Sequence, residues 1–418
     1  MRPSRAPRVR GIWASACLVL VLGFLVGACS TGGGPILSVP TTAPPSVAPP
    51  TLAPSAVHDP LPVILPRDDG PHDRLTEWWY YTGHLRAAGG ARFGFEFVVF
   101  RAERGRFPTS WVSHLAITDE TGDRFLYSQR LEVGAHADRS PRGPDGAPTG
   151  FDLALDAAAP TPGASAVPTT PPGSATAPGP VWAMAGTGGH DHLSAQLTSA
   201  EAALAGSPAG LGLDLGLTAT KPPALHGADG WIDFGPAGGS YYYSRTAMDA
   251  TGSLTVDGKT LTVEGSAWFD HQWGDFISVG GGGWDWFALN LDDGTDLTLS
   301  LVREADRSYP LIYGTMVAPD GTVRHLDRDA FSVEVTGRWL SPTTGADYPA
   351  GWTVKIPDDD LTISLQPTVA GQELDTRATT GVVYWEGSQR VRATRHGVSL
   401  RGDGYVELTG YAASGGGS

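Results

Sequence analysis

The chain has 418 residues and a formal net charge of −15 at neutral pH. A surface this acidic repels phosphate backbones, so we expect no nucleic-acid partner. The two cysteines, Cys17 and Cys29, both lie near the N-terminus, which excludes disulfides and thiol chemistry from the rest of the chain. A body of about 350 residues can bury a core large enough to fold without such cross-links.

Residues 1–28 have the layout of an export signal. Four arginines precede the apolar run GIWASACLVLVLGFL, and the segment VGAC then ends at Cys29. This arrangement resembles a bacterial lipobox, in which Cys29 is acylated and becomes the mature N-terminus. A plain transmembrane anchor or an unlipidated signal is the alternative, but the apolar run is short for a membrane span. We therefore predict a lipoprotein, exported across the cytoplasmic membrane and anchored to its outer face.

Two segments have compositions that cannot bury a core. Residues 29–66 are rich in Pro, Thr, Ser and Ala, and we expect them to form an extended stalk. Residues 157–180 have a similar composition but lie inside the body of the chain. Because strand-like sequence resumes on both sides, we interpret this second segment as a disordered insertion in a hairpin loop.

The remaining sequence alternates apolar and polar residues over short stretches separated by turn signals. Asp257-Gly258, Asp293-Gly294 and Asp320-Gly321 each stand between two such stretches, which predicts β-hairpins. A 3.6-residue apolar period of helical length is absent from the sequence. Together with 56 glycines and 34 prolines, this pattern predicts an all-β fold of barrels or sandwiches.

Two Trp-rich acidic segments, TEWWYYTGHL and AWFDHQWGDF, are each followed by regular hairpins. This loose correspondence suggests two related barrels in series, with the second segment opening the second half. We place the boundary between residues 255 and 256.

The first of these segments places an acid beside a row of rings. On a strand, Glu77, Trp79 and Tyr81 share one face, while Trp78 and Tyr80 share the other. The rings could simply fill a wide barrel. A carboxylate among rings costs several kcal/mol unless it is paired, so we expect Glu77 to have a partner.

The second segment offers such a partner in Asp270 and His271. A carboxylate and an imidazole beside aromatic walls suit proton transfer with an apolar substrate. The alternative is a buried structural network in which these two groups and Glu77 satisfy one another across a domain interface. The candidate catalytic residues are therefore Asp270, His271 and Glu77. The candidate ligand-binding residues are Trp78, Trp79, Tyr81, Trp268, Trp273, Trp284, Trp286 and Tyr242.

The other histidines are weaker candidates. His190 and His192 stand in the Gly-rich segment GGHDHL, where we expect them to be solvated rather than metal ligands. His114 and His226 lie in or beside strands and are expected to be hydrogen-bonded core residues. We expect no metal and no other cofactor.

Six segments together resemble the AttH/carotenoid 1,2-hydratase family. In chain order they read EWWYYTGHL, KPPALHG, YYYSRT, GSAWFDHQWGDF, WDWFALNLDDGTDLTL and YWEGSQ…GDGYVELTGY. The resemblance covers about residues 68–411 and implies two lipocalin-like antiparallel β-barrel domains packed together. On this basis we assign residues 67–255 and 256–413 to the two domains and residues 414–418 to a tail.

Relatives in this family include hydratases that add water to a terminal alkene of acyclic carotenoids, fungal hydratases and fungal cyclases. If their chemistry applies, an acid protonates the alkene and aromatic faces stabilise the resulting carbocation. The resemblance then implies that Asp270 and His271 form the acid/base pair, while Trp79 and Trp273 line the wall.

The chain departs from the carotenoid hydratases at one strand. Leu299 and Leu301 stand near the positions where the resemblance implies a Tyr-x-Asp pair. Together with the lipobox and stalk, this departure favours a lipoprotein that binds a hydrophobic ligand such as a lipid, terpenoid or polyketide. The alternative is a hydratase or cyclase, that is, a carbon–oxygen lyase. Expected partners are the apolar small molecule, the membrane through the lipid anchor, and a membrane protein.

Overall fold

The computed structural model describes residues 59–156, 180–276 and 282–412, and these residues confirm the predicted all-β class. They contain 24 strands and one six-residue α-helix, α1 (Ser199–Leu204). No helix in these three ranges is long and apolar enough to cross a membrane. The predicted signal, the lipobox at Cys29 and residues 29–58 of the predicted stalk lie outside the described residues. Residues 59–66 of that stalk are described and do not form an extended stalk, because Val63 and Leu65 pack against the apolar core and Asp59 bonds to Tyr241.

The first half of the chain forms one curled antiparallel sheet. Its strand order is β4-β3-β2-β1-β12-β11-β8-β7-β6-β5, and β9 and β10 both pair with β11. The edge strand β5 approaches the chain just after β4, where Arg139 N–H donates to the carbonyl of Asp152. The strands are β1 (Thr76–Ala87), β2 (Arg92–Ala102), β3 (Ser110–Asp119), β4 (Arg124–Val133), β5 (Phe151–Leu155), β6 (Trp182–Thr187), β7 (His190–Gln196), β8 (Leu211–Ala219), β9 (Ala224–Leu225), β10 (Trp231–Asp233), β11 (Gly239–Val256) and β12 (Lys259–Gly274).

The second half forms a second curled sheet. Its order is β16-β15-β14-β13-β24-β23-β21-β20-β17, with β22 paired to β23, and β18 and β19 form a separate two-stranded sheet. The strands are β13 (Gly283–Leu291), β14 (Asp296–Arg303), β15 (Leu311–Val317), β16 (Val323–Leu326), β17 (Ser332–Val335), β18 (Arg338–Leu340), β19 (Asp347–Pro349), β20 (Trp352–Ile356), β21 (Leu361–Pro367), β22 (Glu373–Asp375), β23 (Val383–Arg395) and β24 (Val398–Thr409).

The division between the two sheets corrects the predicted boundary. Strand β12 pairs with β11 from Lys259 to Gly274 and with β1 from Val263 to Gly274, so the first sheet extends to Gly274 and the second begins at Gly283. The predicted boundary at residues 255 and 256 falls at the tip of the β11–β12 hairpin. The second Trp-rich segment therefore does not open a second barrel. It lies beside the first Trp-rich segment in the same sheet.

The predicted hairpin turns are present. Val256 pairs with Lys259, which leaves Asp257 and Gly258 as the two turn residues, with φ angles of 50° and 71°. Positive φ at both positions is the geometry that favours an Asp-Gly pair. The insertion at residues 157–180 lies almost wholly outside the described residues, but the strands on its two sides, β5 and β6, pair antiparallel as a hairpin loop requires.

Each sheet encloses its own apolar core, and a third cluster joins the two sheets. The residues of this third cluster come from β1, β2 and β12 on one side and from β13 and β24 on the other. We call it the interface cluster; its buried members are Tyr80, Val98, Trp268, Trp286, Ala288 and Tyr405. The two sheets thus pack face to face, and each strand that crosses this region has one face in a barrel and the other in the interface.

Candidate active site

Strand alternation divides the predicted site residues between two places. The face of β1 and β12 that points into the first barrel carries Glu77, Trp79, Tyr81, His271 and Trp273. The opposite face of these two strands points to the second sheet and carries Trp78, Trp268 and Asp270. The other predicted residues lie at the same interface but on other strands: Tyr242 on β11, and Trp284 and Trp286 on β13. The expected acid/base pair of Asp270 and His271 is therefore not formed, because adjacent residues of a regular strand point to opposite faces.

Inside the first barrel, Glu77 joins two imidazoles. Nε2 of His271 lies 2.9 Å from Oε1 of Glu77, and Nδ1 of His72 lies 2.7 Å from the same oxygen. The backbone N–H of His72 also donates to Oε2 at 3.0 Å. Burial alone would raise the pKa of the Glu77 carboxyl, but these imidazoles lower it to about 2. Glu77 is thus an ionised, fully paired carboxylate, and its expected partner is present.

In the interface, Asp270 is held by three donors. Tyr242 donates to Oδ2 at 2.7 Å, the indole N–H of Trp268 donates to Oδ1 at 2.7 Å, and Ser244 also donates to Oδ1. Burial raises the pKa of Asp270 to about 7, although these three hydrogen bonds act to lower it. An aspartate with this pKa exists in both protonation states near neutral pH.

Tyr242 connects Asp270 to the second sheet. Its hydroxyl oxygen accepts a hydrogen bond from the indole N–H of Trp286 at 3.1 Å while the same hydroxyl donates to Asp270. Trp286 in turn lies opposite Glu407 in the pairing of β13 with β24. The two carboxyl groups, one from each sheet, therefore border the same aromatic cluster.

Glu407 is the more accessible of these two acids. It is half-buried, whereas Asp270 is 3% exposed. The indole N–H of Trp284, itself half-buried, donates to Oε2 of Glu407 at 3.0 Å. Burial raises the pKa of Glu407 to about 7, and the nearby Asp270 carboxylate adds to the rise, while the bond from Trp284 opposes it. Glu407 and Trp284 thus form a partly exposed part of the interface.

Two further glutamates lie deeper in the interface. Tyr384 donates to Glu96 at 2.8 Å, and Tyr80 donates to Glu386 at 2.8 Å. Burial raises the pKa of Glu96 to about 8 and that of Glu386 well above its usual value; the charge of Glu407 adds to both rises, and that of Glu96 adds to the rise at Glu386. In each carboxyl the second oxygen, Oε2, has no hydrogen-bond partner among the described residues. These acids are therefore held in the neutral, protonated form at neutral pH.

The histidines expected in the core are buried and hydrogen-bonded. His226 contacts Ser244 through Nε2 at 2.6 Å and Thr315 through Nδ1 at 2.8 Å, and His114 contacts Tyr384 at 2.7 Å. Burial lowers the pKa of both imidazoles to about 3, so both are neutral. His226 thus supports the serine that donates to Asp270.

His190 and His192 lie on the outer side of β7, as expected for solvated residues. Both are exposed, and His192 Nε2 lies 3.2 Å from the Asp214 carboxylate. They border a groove of about 910 Å³ on the outer face of β5–β8, separate from the interface cluster. Among the described residues, the clusters of potential metal-binding side chains are instead His72 with Glu77 and His271, and Glu132 with His136 and Asp156.

Sequence reasoning missed the acids of the second sheet and the first histidine of the Glu77 cluster. Glu386 stands in YWEGSQ and Glu407 in GDGYVELTGY, and each acid directly follows an apolar residue, Trp385 or Val406. An acid beside an apolar neighbour could have been identified as a buried group that needs a partner, as Glu77 was. At the strand where the carotenoid hydratases were expected to carry their acid, Leu299 and Leu301 face the core of the second barrel instead. The acids of the interface come from other strands.

Comparison with known proteins fits this architecture. The profile of the family described as AttH-like matches residues 56–145 and 175–411. The chain belongs to the AttH-like family. A crystal structure from Nitrosomonas europaea, described as that of an AttH protein, covers 86% of this chain and 100% of that chain at 29% identity, with a TM-score of 0.67.

Two proteins similar to this AttH-like chain are named as a dehydratase and a hydratase. A dehydratase, asqC, of Emericella nidulans is 28% identical over 173 residues, or 38% of this chain, and the chain spans about half the fungal protein's length (47%). Kievitone hydratase from Nectria haematococca covers 84% of this chain and 94% of its own, with a TM-score of 0.59 and 14% identity. At that identity the second likeness concerns the fold alone.

Proposed function

We propose that this AttH-like protein is a hydratase or dehydratase, adding water to or removing it from a carbon–carbon double bond of an apolar substrate. The observation that carries the proposal is the meeting of Asp270 and Glu407, one from each sheet, at a single aromatic cluster. When two carboxyl groups are buried near each other, repulsion between their charges favours a state in which one is protonated and the other ionised. That state supplies an acid and a base together.

The proposed reaction assigns one proton transfer to each carboxyl. In hydration, Glu407 donates its proton to one alkene carbon, water bonds to the other carbon through its oxygen, and Asp270 accepts the proton that the water loses. Dehydration reverses these steps. The indole rings of Trp284 and Trp286 border the site and would stabilise the positive charge that develops on carbon between the two transfers.

The similar proteins of known name support a lyase more than a carrier. The fungal relative is a dehydratase, and the hydratase of Nectria haematococca shares the two-sheet fold. A protein that only held an apolar ligand would gain nothing from acids with pKa values near 7 in its apolar interface, since burying them costs stability. Ligand binding without turnover is thus the second candidate.

The test measures whether the purified protein converts a defined panel of compounds in ¹⁸O-labelled water. Acyclic terpenoid alkenes and the matching tertiary alcohols are incubated with the purified protein, and products are followed by mass spectrometry. We expect ¹⁸O to enter the alcohol product, and we expect both Glu407→Gln and Asp270→Asn to lower kcat at least 100-fold. Glu264→Gln, which changes an exposed acid on β12, is the matched control and should retain full activity.

Retention of activity by Glu407→Gln would refute the assigned acid. Tight retention of a panel compound by the protein, seen after organic extraction and without conversion, would favour the ligand-binding candidate instead. The folded state of each variant is checked by circular dichroism before rates are compared.

We further propose, from the lipobox sequence, that the protein is exported and anchored to the outer face of the cytoplasmic membrane through acylated Cys29. In cells fed a labelled fatty acid, the wild-type chain should carry the label and fractionate with membranes. A Cys29→Ser chain that still carries the label would contradict this assignment.

A further inference from the structure

Three side chains of the types that bind metals meet where the segment before β1 (residues 59–75, here called the N-terminal segment) contacts the first barrel. His72, Glu77 and His271 each place one donor atom within 4.8 Å of the other two. Nδ1 of His72 and Nε2 of His271 approach the same oxygen, Oε1 of Glu77. Two imidazoles and one carboxylate are a ligand set that proteins use for zinc and for non-haem iron, with coordination positions left open.

Aromatic rings hold both imidazoles in place. The ring of His72 is parallel to that of Trp273, with 4.0 Å between centroids. The ring of His271 stacks on Trp79 at 4.6 Å. Donors whose orientations are locked by packing lose little freedom when a ligand binds, which favours binding.

The outer contacts of these groups also suit a metal site. The backbone N–H of His72 donates to Oε2 of Glu77 at 3.0 Å and to Oε1 at 3.2 Å, while both imidazoles approach Oε1. The second ring nitrogen of His72, Nε2, lies 3.6 Å from the carboxylate of Asp68. Histidines that bind metals commonly direct their second nitrogen to a carboxylate, which fixes the ring and strengthens it as a ligand.

His271 has a second nitrogen, Nδ1, that is buried without a hydrogen-bond partner among the described residues. The polar contact that orients this ring within the described structure is therefore the one through Nε2, on the side of Glu77. The cluster lies on the opposite face of β12 from Asp270, inside the first barrel, so it is a separate site from the interface acids.

We propose that His72, Glu77 and His271 bind one divalent transition-metal ion, with Zn²⁺ as the first candidate. Ligands at about 2.1 Å from a tetrahedral ion lie roughly 3.4 Å apart, so the observed separations of 2.9 Å and 2.7 Å must widen by roughly 0.5–0.7 Å. His72 can make this adjustment because it precedes β1, lies outside the sheet, and its side chain is 19% exposed. A bound ion would tie the N-terminal segment to strands β1 and β12.

The test uses the untagged, purified full chain after removal of metals with a chelator. Titration calorimetry with ZnCl₂ should show about one equivalent bound, and Co²⁺ should produce the visible absorption bands of a low-symmetry nitrogen–oxygen site. We expect Zn²⁺ to raise the melting temperature of the wild type. His72→Ala should weaken binding at least tenfold and remove the thermal shift, because one of three ligands is lost.

The matched control is His136→Ala, which removes the histidine of the other candidate cluster, Glu132, His136 and Asp156. This variant should bind Zn²⁺ as the wild type does. Absence of binding, binding unchanged by His72→Ala, or binding lost in His136→Ala would each overturn the proposal. His72→Ala is preferred to a Glu77 variant because His72 is partly exposed and its loss leaves the sheet intact.

Discussion

Nε2 of His271 lies 2.9 Å from Oε1 of Glu77, across two neighbouring strands of the first barrel. The two residues are 194 positions apart in the chain, and they meet because β12 pairs antiparallel with β1. The same pairing directs Asp270 to the other face, where it lies with the acids of the second sheet. One pair of strands thus serves two separate clusters of ionisable groups.

The contact between Glu77 and the two imidazoles should contribute strongly to stability. Glu77→Gln keeps the size of the side chain but removes the charge that both His72 and His271 approach. We expect it to lower the free energy of unfolding by about 2–4 kcal/mol, because a buried charge network loses one member. Urea denaturation in a chelating buffer measures this, and the exposed change Glu264→Gln should stay within about 0.5 kcal/mol of the wild type. Equal stabilities would contradict the prediction.

The close approach of β1 to its neighbours requires glycine at position 83. A Cβ atom there would lie 2.4 Å from the carbonyl oxygen of Ser266 on β12 and 2.5 Å from the ring of Phe95 on β2. Gly83→Ala should therefore destabilise the protein by about 2–3 kcal/mol through overpacking. Gly89→Ala is the control, since no atom lies within 4 Å of its added Cβ. Thermal melts of the two variants should differ clearly, and identical melting temperatures would refute the argument.

Stability should fall as pH rises through the range in which the interface acids titrate. The pKa of Glu96 is raised from 4.5 to about 8, so between these pH values the unfolded chain loses a proton that the folded chain keeps. Each such group lowers the free energy of unfolding by at most about 1.4 kcal/mol per pH unit in this window. Below pH 4.5 Glu96 is protonated in both the folded and the unfolded chain, so it does not change the free energy of unfolding with pH.

Replacing Glu96 with a neutral amide isolates its contribution to the pH dependence of stability. Glu96→Gln keeps an acceptor for the Tyr384 hydroxyl but cannot ionise, so the slope of unfolding free energy against pH should be shallower than in the wild type. Urea denaturation at pH 5, 6, 7 and 8 provides both curves. Parallel curves would show that Glu96 titrates near its ordinary pKa.

If Glu407 is the acid of the proposed reaction, kcat should decline as pH rises through its pKa of about 7, because the protonated form is required. The hydrogen bond from Trp284 lowers that pKa. Trp284→Phe should therefore shift the alkaline limb of the pH–rate profile to higher pH. A limb that stays in place in this variant would show that Glu407 does not control it.

Local patterns in the sequence determined several features that the structure confirms. The period-2 alternation and the absence of helical periodicity predicted the all-β class, and the Asp257-Gly258 pair predicted its hairpin, because each depends on residues close together in the chain. The isolation of Glu77 among rings correctly indicated a buried partner. The six family segments, although distant from one another, indicated the paired barrels by resemblance.

Only the tertiary structure decided which strands are neighbours and which faces meet. The pairing of β12 with β1 moved the boundary between the sheets from residue 256 to beyond Gly274, and it placed His271 beside Glu77 but Asp270 beside the second sheet. Glu407 and Asp270, which are over 130 positions apart in the chain, border the same aromatic cluster because the two sheets pack face to face. Alternation along a strand says that two faces exist, but the free energy of packing the whole chain selects which face is buried against which partner.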